Sequence, residues 1–593
     1  MKNNRTPKKE VFLMKELMTG NEAVALGAWE AGVRVVAAYP GTPSTEITEN
    51  AAKYDEIYAE WAPNEKVAME VAIGAAITGG RAMACMKHVG VNVAMDPLMT
   101  VAFSGVKGGL VIVTADDPGM HSSQNEQDNR RLGRFAKIPV LEPSDSEECR
   151  DFVKAAFEIS EAFDTPVMLR LTTRVAHSQS LLEKGTRNEK DIPAYERDPK
   201  KYVMVPANAR PRHIIAEERL EKLEAMSNDS PLNRIEENSS DIGILCSGVV
   251  YQYVKEAMPD ASVLKIGISN PLPKALIRKF ADKVKELYVI EELDDVMEEQ
   301  IRAMGIEVKG KNIFSYVGEI FPETIREKLL CEEKKAASYQ YQKEMPVRPP
   351  VLCAGCPHRG TFHVLKKAHV NVMGDIGCYT LGAQPPLAAV DTTICMGAGI
   401  GMALGMEKVR GRDFAKKTVA VIGDSTFMHS GITGLVDVFY NKGCTTTIIL
   451  DNHITAMTGH QQNPLTGYTI KGEATNKVDL EALVKGIGIQ RVDVVDPFNV
   501  KGFSEILKAD LEAEEPAVII ARRPCELLLK GEKESYYIDA DRCLRCGKCL
   551  KIGCPAIEKT ASKIPVIHGD QCVGCGLCKN VCGNDGVIRK EGE

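Results

Sequence analysis

Along the first 180 residues, short apolar runs alternate with stretches rich in small residues. Val33–Tyr39, Arg81–Met86, Leu110–Thr114 and Val167–Leu171 read as strands, with helices between them. Near-continuous apolar runs mark strands buried on both faces, so residues 1–182 are expected to form an α/β domain with a doubly wound parallel sheet. Residues 183–240 turn charged and rich in Pro, Asn and Glu, which predicts a linker carrying one helix near Ile214–Met226. The apolar rhythm resumes at Ile242–Cys246 and Leu287–Glu292, giving a smaller α/β unit over 241–332. A polar stretch, Glu332–Lys343, separates it from a third α/β unit over 345–530, with strands near Thr418–Ile422, Thr446–Leu450 and Ala517–Ala521. The tail, 535–593, is short and dominated by cysteine.

A chain of 593 residues is too long for one core and fits roughly three to five domains. Its net charge of -7 offers no basic stripe, so no nucleic-acid partner is expected. The apolar stretch Ala84–Ala115 is broken by Lys87, Asp96 and Lys107, and the N-terminal run Val11–Met14 stops at Lys15. Neither spans a membrane or makes a secretory core, and a cytoplasmic protein without a membrane partner is expected.

Of eighteen cysteines, eight fall between Cys543 and the C-terminus. Such crowding in a large cytosolic chain favours metal ligation over disulfides. Cys543-x2-Cys546-x2-Cys549-x4-Cys554-Pro555 is followed by Cys572-x2-Cys575-x2-Cys578-x3-Cys582. Three thiolates at this spacing wrap one corner of a cubane, and in two-cluster ferredoxins the fourth cysteine of each run ligates the other cluster. One [4Fe–4S] cluster is therefore expected on Cys543, Cys546, Cys549 and Cys582, and a second on Cys572, Cys575, Cys578 and Cys554. The tail then reads as a two-cluster ferredoxin-like α+β domain. Zinc knuckles are the alternative, but zinc favours two separated pairs over three cysteines in seven residues. The x4 spacing and Gly583 after Cys582 depart from the usual x3 and proline without removing a ligand.

Gly423-Asp424-Ser425 follows the strand run Val419–Ile422, and Asn452 follows the run Thr447–Leu450. A carboxylate and an amide oxygen at adjacent strand ends suit Mg²⁺, which prefers oxygen and keeps phosphate oxygens among its ligands. Taken alone, a Gly-Asp-Ser at a strand end is more often a turn, and the second half at matching spacing reverses that reading. Gly397-Ala398-Gly399-Ile400-Gly401 lacks G-x-G-x-x-G spacing and is expected to be a tightly packed helix start.

These segments, with Asp451-Asn452-His453-Ile454, resemble the GDG…NN motif of thiamine-diphosphate enzymes. The resemblance implies that Gly423, Asp424, Ser425, Asn452 and Ile454 bind the cofactor, with Asp424, Asn452 and the Ile454 carbonyl on Mg²⁺. Ser425 and Asp451 replace a glycine and an asparagine of the motif. Thiamine chemistry also needs a carboxylate beside the aminopyrimidine, to favour the tautomer that removes the C2 proton. Asn64-Glu65-x2-Ala68-x3-Ala72-x-Gly74 resembles the helix that carries it, which makes Glu65 the candidate and Glu70 its competitor. Tyr39-Pro40-Gly41-Thr42-Pro43-Ser44-Thr45-Glu46 resembles a segment of 2-oxoacid:ferredoxin oxidoreductases in which the threonine faces the 2-oxoacid. Locally it reads as strand, rigid turn and N-capped helix. Thr42 and, at the next strand end, His88 are thus candidate catalytic residues, although a lone histidine is more often structural. Cys353-Ala354-Gly355-Cys356, Cys378 and Cys525 resemble the ligands of a third [4Fe–4S] cluster, close to thiamine. Cys85, Cys149, Cys246, Cys331, Cys395 and Cys444 are expected to be packing residues.

The resemblance covers nearly the whole chain: pyrimidine-binding domain, transketolase C-terminal-like domain, diphosphate-binding domain and ferredoxin domain. Its order is similar to the alpha subunit of the indolepyruvate type, and His121–Asp128 resembles that subfamily too. This implies a smaller beta subunit supplying a missing domain, in a hetero-oligomer that decarboxylates an arylpyruvate with coenzyme A and reduces ferredoxin. Two rivals are the same chemistry on pyruvate, 2-oxoisovalerate or 2-oxoglutarate, and an electron-transfer subunit whose thiamine site has decayed.

Overall fold

The computed structural model describes residues 15–238, 241–332, 348–531 and 534–589. The chain divides into two compact units at residues 340 and 341. The polar stretch expected at 332–343 lies outside the described residues from 333 onward, as does the apolar run 11–14.

In the first unit a seven-stranded sheet runs in the order Ile268–Asn270, Val140–Leu141, Val167–Thr172, Leu110–Asp116, Ala82–Lys87, Val35–Ala38, Tyr58–Trp61. All its pairings are parallel except the first. Leu110–Asp116 and Val167–Thr172 are buried at every position, as both-face coverage by helices requires. A four-stranded sheet, Glu286–Ile290, Ile242–Ser247, Ser262–Ile266 and Arg234–Glu236, has its own cores on the two faces.

Two expectations need correction here. Residues 183–240 are not a free linker: the helix is Pro206–Asp229, longer than 214–226, and it is packed. Arg212 donates to the carbonyls of Phe103 (2.9 Å) and Ser104 (2.8 Å) and to Asp164 (2.7 Å), and Arg219 donates to the carbonyls of Ala102 and Asp164. These guanidinium groups satisfy the last carbonyls of the Met95–Ser104 helix, so charge that looked solvated in the sequence is spent as a C-terminal cap. The 1–182 and 241–332 units are also not separate, because Ile268–Asn270 extends the edge of the first sheet.

In the second unit five parallel strands run in the order Asn371–Met373, Thr418–Gly423, Thr446–Asp451, Ala517–Arg522, Arg491–Val495. Apolar clusters cover both faces. Beyond it, Tyr536–Ile538 pairs antiparallel with Val587–Arg589, and Ile557–Glu558 with Val566–Ile567. The small core of this tail takes in Phe498 and Val500 from the preceding domain, and Asn580 donates to the Phe498 carbonyl at 2.8 Å. A tail of this size buries too little apolar surface by itself, and borrowing a neighbouring aromatic enlarges its core. Among the described residues no helix is long and apolar enough to cross a membrane.

Candidate active site

The strands Thr418–Gly423 and Thr446–Asp451 are neighbours with Gly423 opposite Leu450, so Asp424 and Asn452 leave the sheet side by side at its carboxyl edge. Both are buried. The Asp424 carboxylate accepts the amides of Ser425 (2.7 Å) and His453 (3.0 Å). Burial, with the nearby Asp451 carboxylate, pushes its pKa up to about 8. A carboxylate desolvated to this degree lacks a counter-charge, and a hard divalent cation supplies one. Asn452 receives the Ile454 amide on its side-chain oxygen (3.2 Å), and Ile454 is buried directly after His453, which adopts φ +65°. Both departures from the motif are structurally engaged. Thr455 donates to Ser425 Oγ at 2.9 Å, and Arg522 pairs with Asp451 at 2.7 Å. The residues present thus fit Mg²⁺ and a diphosphate.

The expected helix start is confirmed at Gly397, which adopts φ +85° before the helix Ala398–Arg410. A Cβ on Gly399 would lie 2.7 Å from the Met373 carbonyl oxygen, so only glycine permits the approach. Asp375, which the sequence did not single out, accepts the amides of Ile376 (2.6 Å) and Gly397 (2.8 Å), and burial raises it to about 7.

Cys525 connects this edge to the cysteines, because its amide donates to the Asn452 carbonyl at 3.0 Å. The Cys353, Cys356, Cys378 and Cys525 sulfurs act electrostatically on one another, and burial drives Cys356 up to about 12 and Cys378 up to about 11. Thiols raised in this way become thiolates only when a metal takes the proton's place. In the tail, Cys543, Cys546, Cys549 and Cys582 line a cavity of about 100 Å³. A second cavity is lined by Cys554, Cys572, Cys575 and Cys578, together with Ala354 and Gly355. Each cavity combines three cysteines of one run with the fourth of the other. Among the described residues no three Cys, His, Asp or Glu side chains converge on a point suited to a single metal ion.

In the first unit, Glu65 opens the helix Glu65–Ile77, capped by Asn64, whose side-chain oxygen accepts the Val67 amide at 2.9 Å. Glu65 is 4 % exposed, whereas Glu70 is exposed and paired with Lys66, so burial separates the two candidates. A Cβ on Gly90 would lie 2.7 Å from Glu65 Oε1. Lys87, at the end of its strand, is held down from its ordinary pKa by burial, against the opposing pull of Asp117 and Glu65. It donates to the Ser122 carbonyl (3.0 Å), while the Ser122 hydroxyl donates to the Thr42 carbonyl (3.2 Å). His88 is fully buried, with Nε2 at 3.1 Å from the Asn125 carbonyl, and burial lowers its pKa. Thr42, Lys87 and His88 are thereby gathered around the 117–125 loop, which Asp117 organises through Ser122 and Ser123, and Glu65 lies near enough to Lys87 to act on its charge. Sequence reasoning gave Lys87 no role; its signal was a cation at the end of a buried strand. The helix expected after the Tyr39–Glu46 turn is Thr45–Ala51, but it lacks a side-chain cap: at its N-cap position the Ser44 hydroxyl donates to the Gly41 carbonyl (2.9 Å) instead. Cys331 and Cys395 are exposed, so they are not packing residues, while Cys85, Cys149, Cys246 and Cys444 are buried.

Two family models match the chain: the thiamine-diphosphate-binding domain of pyruvate flavodoxin/ferredoxin oxidoreductases over residues 26–238, and the C-terminal thiamine-pyrophosphate-binding domain of thiamine enzymes over residues 375–521. Indolepyruvate oxidoreductase subunit IorA from Archaeoglobus fulgidus is 43% identical, with 97% of each chain covered. The same subunit from Pyrococcus abyssi is 41% identical, again over 97% of each chain. Among solved structures, a 2-oxoglutarate:ferredoxin oxidoreductase from Magnetococcus marinus matches 52% of this chain and 64% of its own, at 19% identity and a TM-score of 0.45. Whole-length identity at this level places the chain: it belongs to the IorA subunit family of the thiamine-diphosphate-dependent 2-oxoacid:ferredoxin oxidoreductases.

Proposed function

We propose that this chain is the catalytic subunit of an enzyme that converts arylpyruvates, indolepyruvate foremost, and coenzyme A into aryl-acetyl-CoA and CO₂ while reducing ferredoxin. The observation that carries the reading is the Cys525 amide bonded to the Asn452 carbonyl, which supports a cluster beside the metal and diphosphate site proposed for that sheet edge. Whole-length likeness to indolepyruvate oxidoreductase subunits supports the substrate class. Residues 1–182 act as the pyrimidine-binding domain, 241–332 as the transketolase C-terminal-like domain, 345–530 as the diphosphate-binding domain and 535–593 as the ferredoxin-like tail. A smaller beta subunit completes the enzyme, which works in the cytoplasm with ferredoxin as acceptor.

Asp424, Asn452 and the Ile454 carbonyl hold Mg²⁺, and Gly423 and Ser425 shape the diphosphate cradle. Glu65 holds the aminopyrimidine in its reactive tautomer from a dry pocket, where a carboxylate hydrogen bond is strong. Thiamine diphosphate, when bound, supplies the electron sink that decarboxylation requires. Lys87 offers positive charge for the substrate carboxylate, Thr42 lies across the same loop, and His88 braces that loop through Asn125. Cys353, Cys356, Cys378 and Cys525 hold the first cluster. The cavity of Cys554, Cys572, Cys575 and Cys578 stands next in line because Ala354 and Gly355, inside the first cluster's loop, form part of its wall. Cys543, Cys546, Cys549 and Cys582 then hold the outermost cluster.

A substrate panel tests the reading. With coenzyme A and a viologen acceptor, indolepyruvate and phenylpyruvate are expected to outpace pyruvate, 2-oxoisovalerate and 2-oxoglutarate in kcat/KM. Preference for any of the last three overturns the arylpyruvate assignment.

A further inference from the structure

Arg359 is the second residue of the helix His358–Ala368, which begins immediately after the Cys353–Cys356 loop. Arg359 is 3 % exposed. It donates to the carbonyls of Cys353 (2.9 Å) and Leu352 on one side, and to those of Ile552 (3.1 Å) and Gly553 on the other. The first pair belongs to the strand of chain entering the CxxC loop, and the second directly precedes Cys554. Main-chain carbonyls, rather than a carboxylate, receive its N–H groups. Among the described residues no carboxylate pairs with this charge, and it acts on the sulfurs of Cys554, Cys356, Cys353 and Cys575. Two of those sulfurs come from each of two ligand sets. Arginine does not give up its proton in proteins, so this is a permanent cation in a dry place. Such a group is costly to bury unless negative charge stands nearby. Four thiolates around a cubane provide it on either side, and nearby charge and hydrogen bonding are among the levers that set cluster potentials.

We propose that Arg359 is a positioning residue that raises the potentials of the two clusters on either side of it, the one on Cys353, Cys356, Cys378 and Cys525 and the one on Cys554, Cys572, Cys575 and Cys578. This rests on the cluster assignments proposed above. Each transfer moves one electron, so the first cluster is oxidised by one electron as the second is reduced by one. Arg359 exchanges neither electron nor proton. Its charge stabilises the reduced, more negative form of both clusters and keeps the step between them close to level. The third cluster, on Cys543, Cys546, Cys549 and Cys582, is not addressed by this side chain and serves as an internal reference. The close approach that makes this possible also needs Gly355, at φ +73°, where a Cβ would lie 2.5 Å from Val573 Cγ2.

The test is an EPR-monitored redox titration of the full-length chain prepared anaerobically, comparing wild type with R359M, which removes the charge, and R359K, which keeps the charge and loses the planar fork. For R359M the reduced-to-oxidised ratio of the two flanking clusters, read at a fixed potential, is expected to fall roughly tenfold, equivalent to about 59 mV for a one-electron couple, with the outermost cluster unmoved. R359K is expected to stay near wild type. Unchanged potentials in R359M, an equal shift in all three clusters, or equal shifts in R359M and R359K overturn the proposal. Loss of iron from both variants also overturns it, since Arg359 would then be only a fastener between two loops. A wild-type chain without three cluster signals would instead contradict the cluster assignments themselves.

Discussion

Replacing Gly90 with alanine is a direct way to disturb Glu65 without touching it. The new methyl would lie 2.7 Å from Glu65 Oε1, 2.8 Å from Cγ and 3.0 Å from Cδ. The first of these falls about 0.7 Å short of an ordinary 3.4 Å contact, a gap that a packed interior resists. Three successive atoms are crowded, so turning the carboxylate tip gives no relief and the whole side chain must shift. Misplacing a catalytic group by about 1 Å costs up to roughly 10²-fold in rate, so kcat for G90A is expected to fall about 10- to 100-fold. E65Q, which removes the carboxylate itself, is expected to lose about 10²- to 10⁴-fold. Both variants should retain bound thiamine, because the role proposed for Glu65 is on the pyrimidine rather than on the metal. The assay is indolepyruvate-dependent viologen reduction at saturating coenzyme A, with thiamine content and far-UV circular dichroism as controls. A G90A enzyme within twofold of the wild-type kcat would refute the placement of Glu65 as the activating carboxylate.

The remaining expectations concern ligands and charge. C554S should abolish the EPR signal of the cluster on Cys572, Cys575 and Cys578 while sparing the one on Cys543, Cys546 and Cys549, and C582S should do the reverse; each serine removing its own run's cluster would disprove the crossed pairing seen in the two cavities. D424N should lose bound thiamine and all turnover, and chelating Mg²⁺ from the wild type should reproduce both losses in a thiamine-retention assay. Glu292 is pushed up to about 7 by burial, with the Ile320 amide pulling the other way, so its folded pKa lies above its unfolded value. Stability tied to its proton is complete below about pH 4.5 and is lost as pH rises toward 7, at about 1.4 kcal/mol per pH unit. E292Q should therefore gain on wild type in urea midpoint between pH 5 and 7 and hold a constant lead above that; a gap independent of pH would contradict the shift.

Strands such as Leu110–Asp116 and Ala517–Arg522 were legible because parallel strands buried on both faces leave continuous apolar runs, whereas short or edge strands such as Tyr58–Trp61, Asn371–Met373 and Arg491–Val495 were not. The tail cysteines were legible because their spacing is local chemistry. What escaped was long-range. Ile268–Asn270 is too short to announce that it joins the first sheet, and the arginines of Pro206–Asp229 look like solvated charge until the carbonyls they cap are in place. The same holds at the site. Asp424 and Asn452 stood out as a motif, whereas Asp375, Lys87 and Arg359 gain meaning only from neighbours about 20 to 190 residues away in sequence, such as Gly397, Ser122 and Gly553. His121–Asp128 was visible as a pattern without a reason. In the structure its serines satisfy Asp117 and its Asn125 carbonyl meets His88.

The central claim is that one chain carries thiamine chemistry and the complete internal route for its electrons. Anaerobic purification with the beta subunit, followed by iron, sulfide and thiamine analysis and indolepyruvate-dependent viologen reduction, tests it most directly. The account predicts about twelve irons and one thiamine per chain, with arylpyruvate activity, as three four-iron clusters require. About eight irons would remove the cluster on Cys353, Cys356, Cys378 and Cys525, and zinc without thiamine would contradict the account altogether.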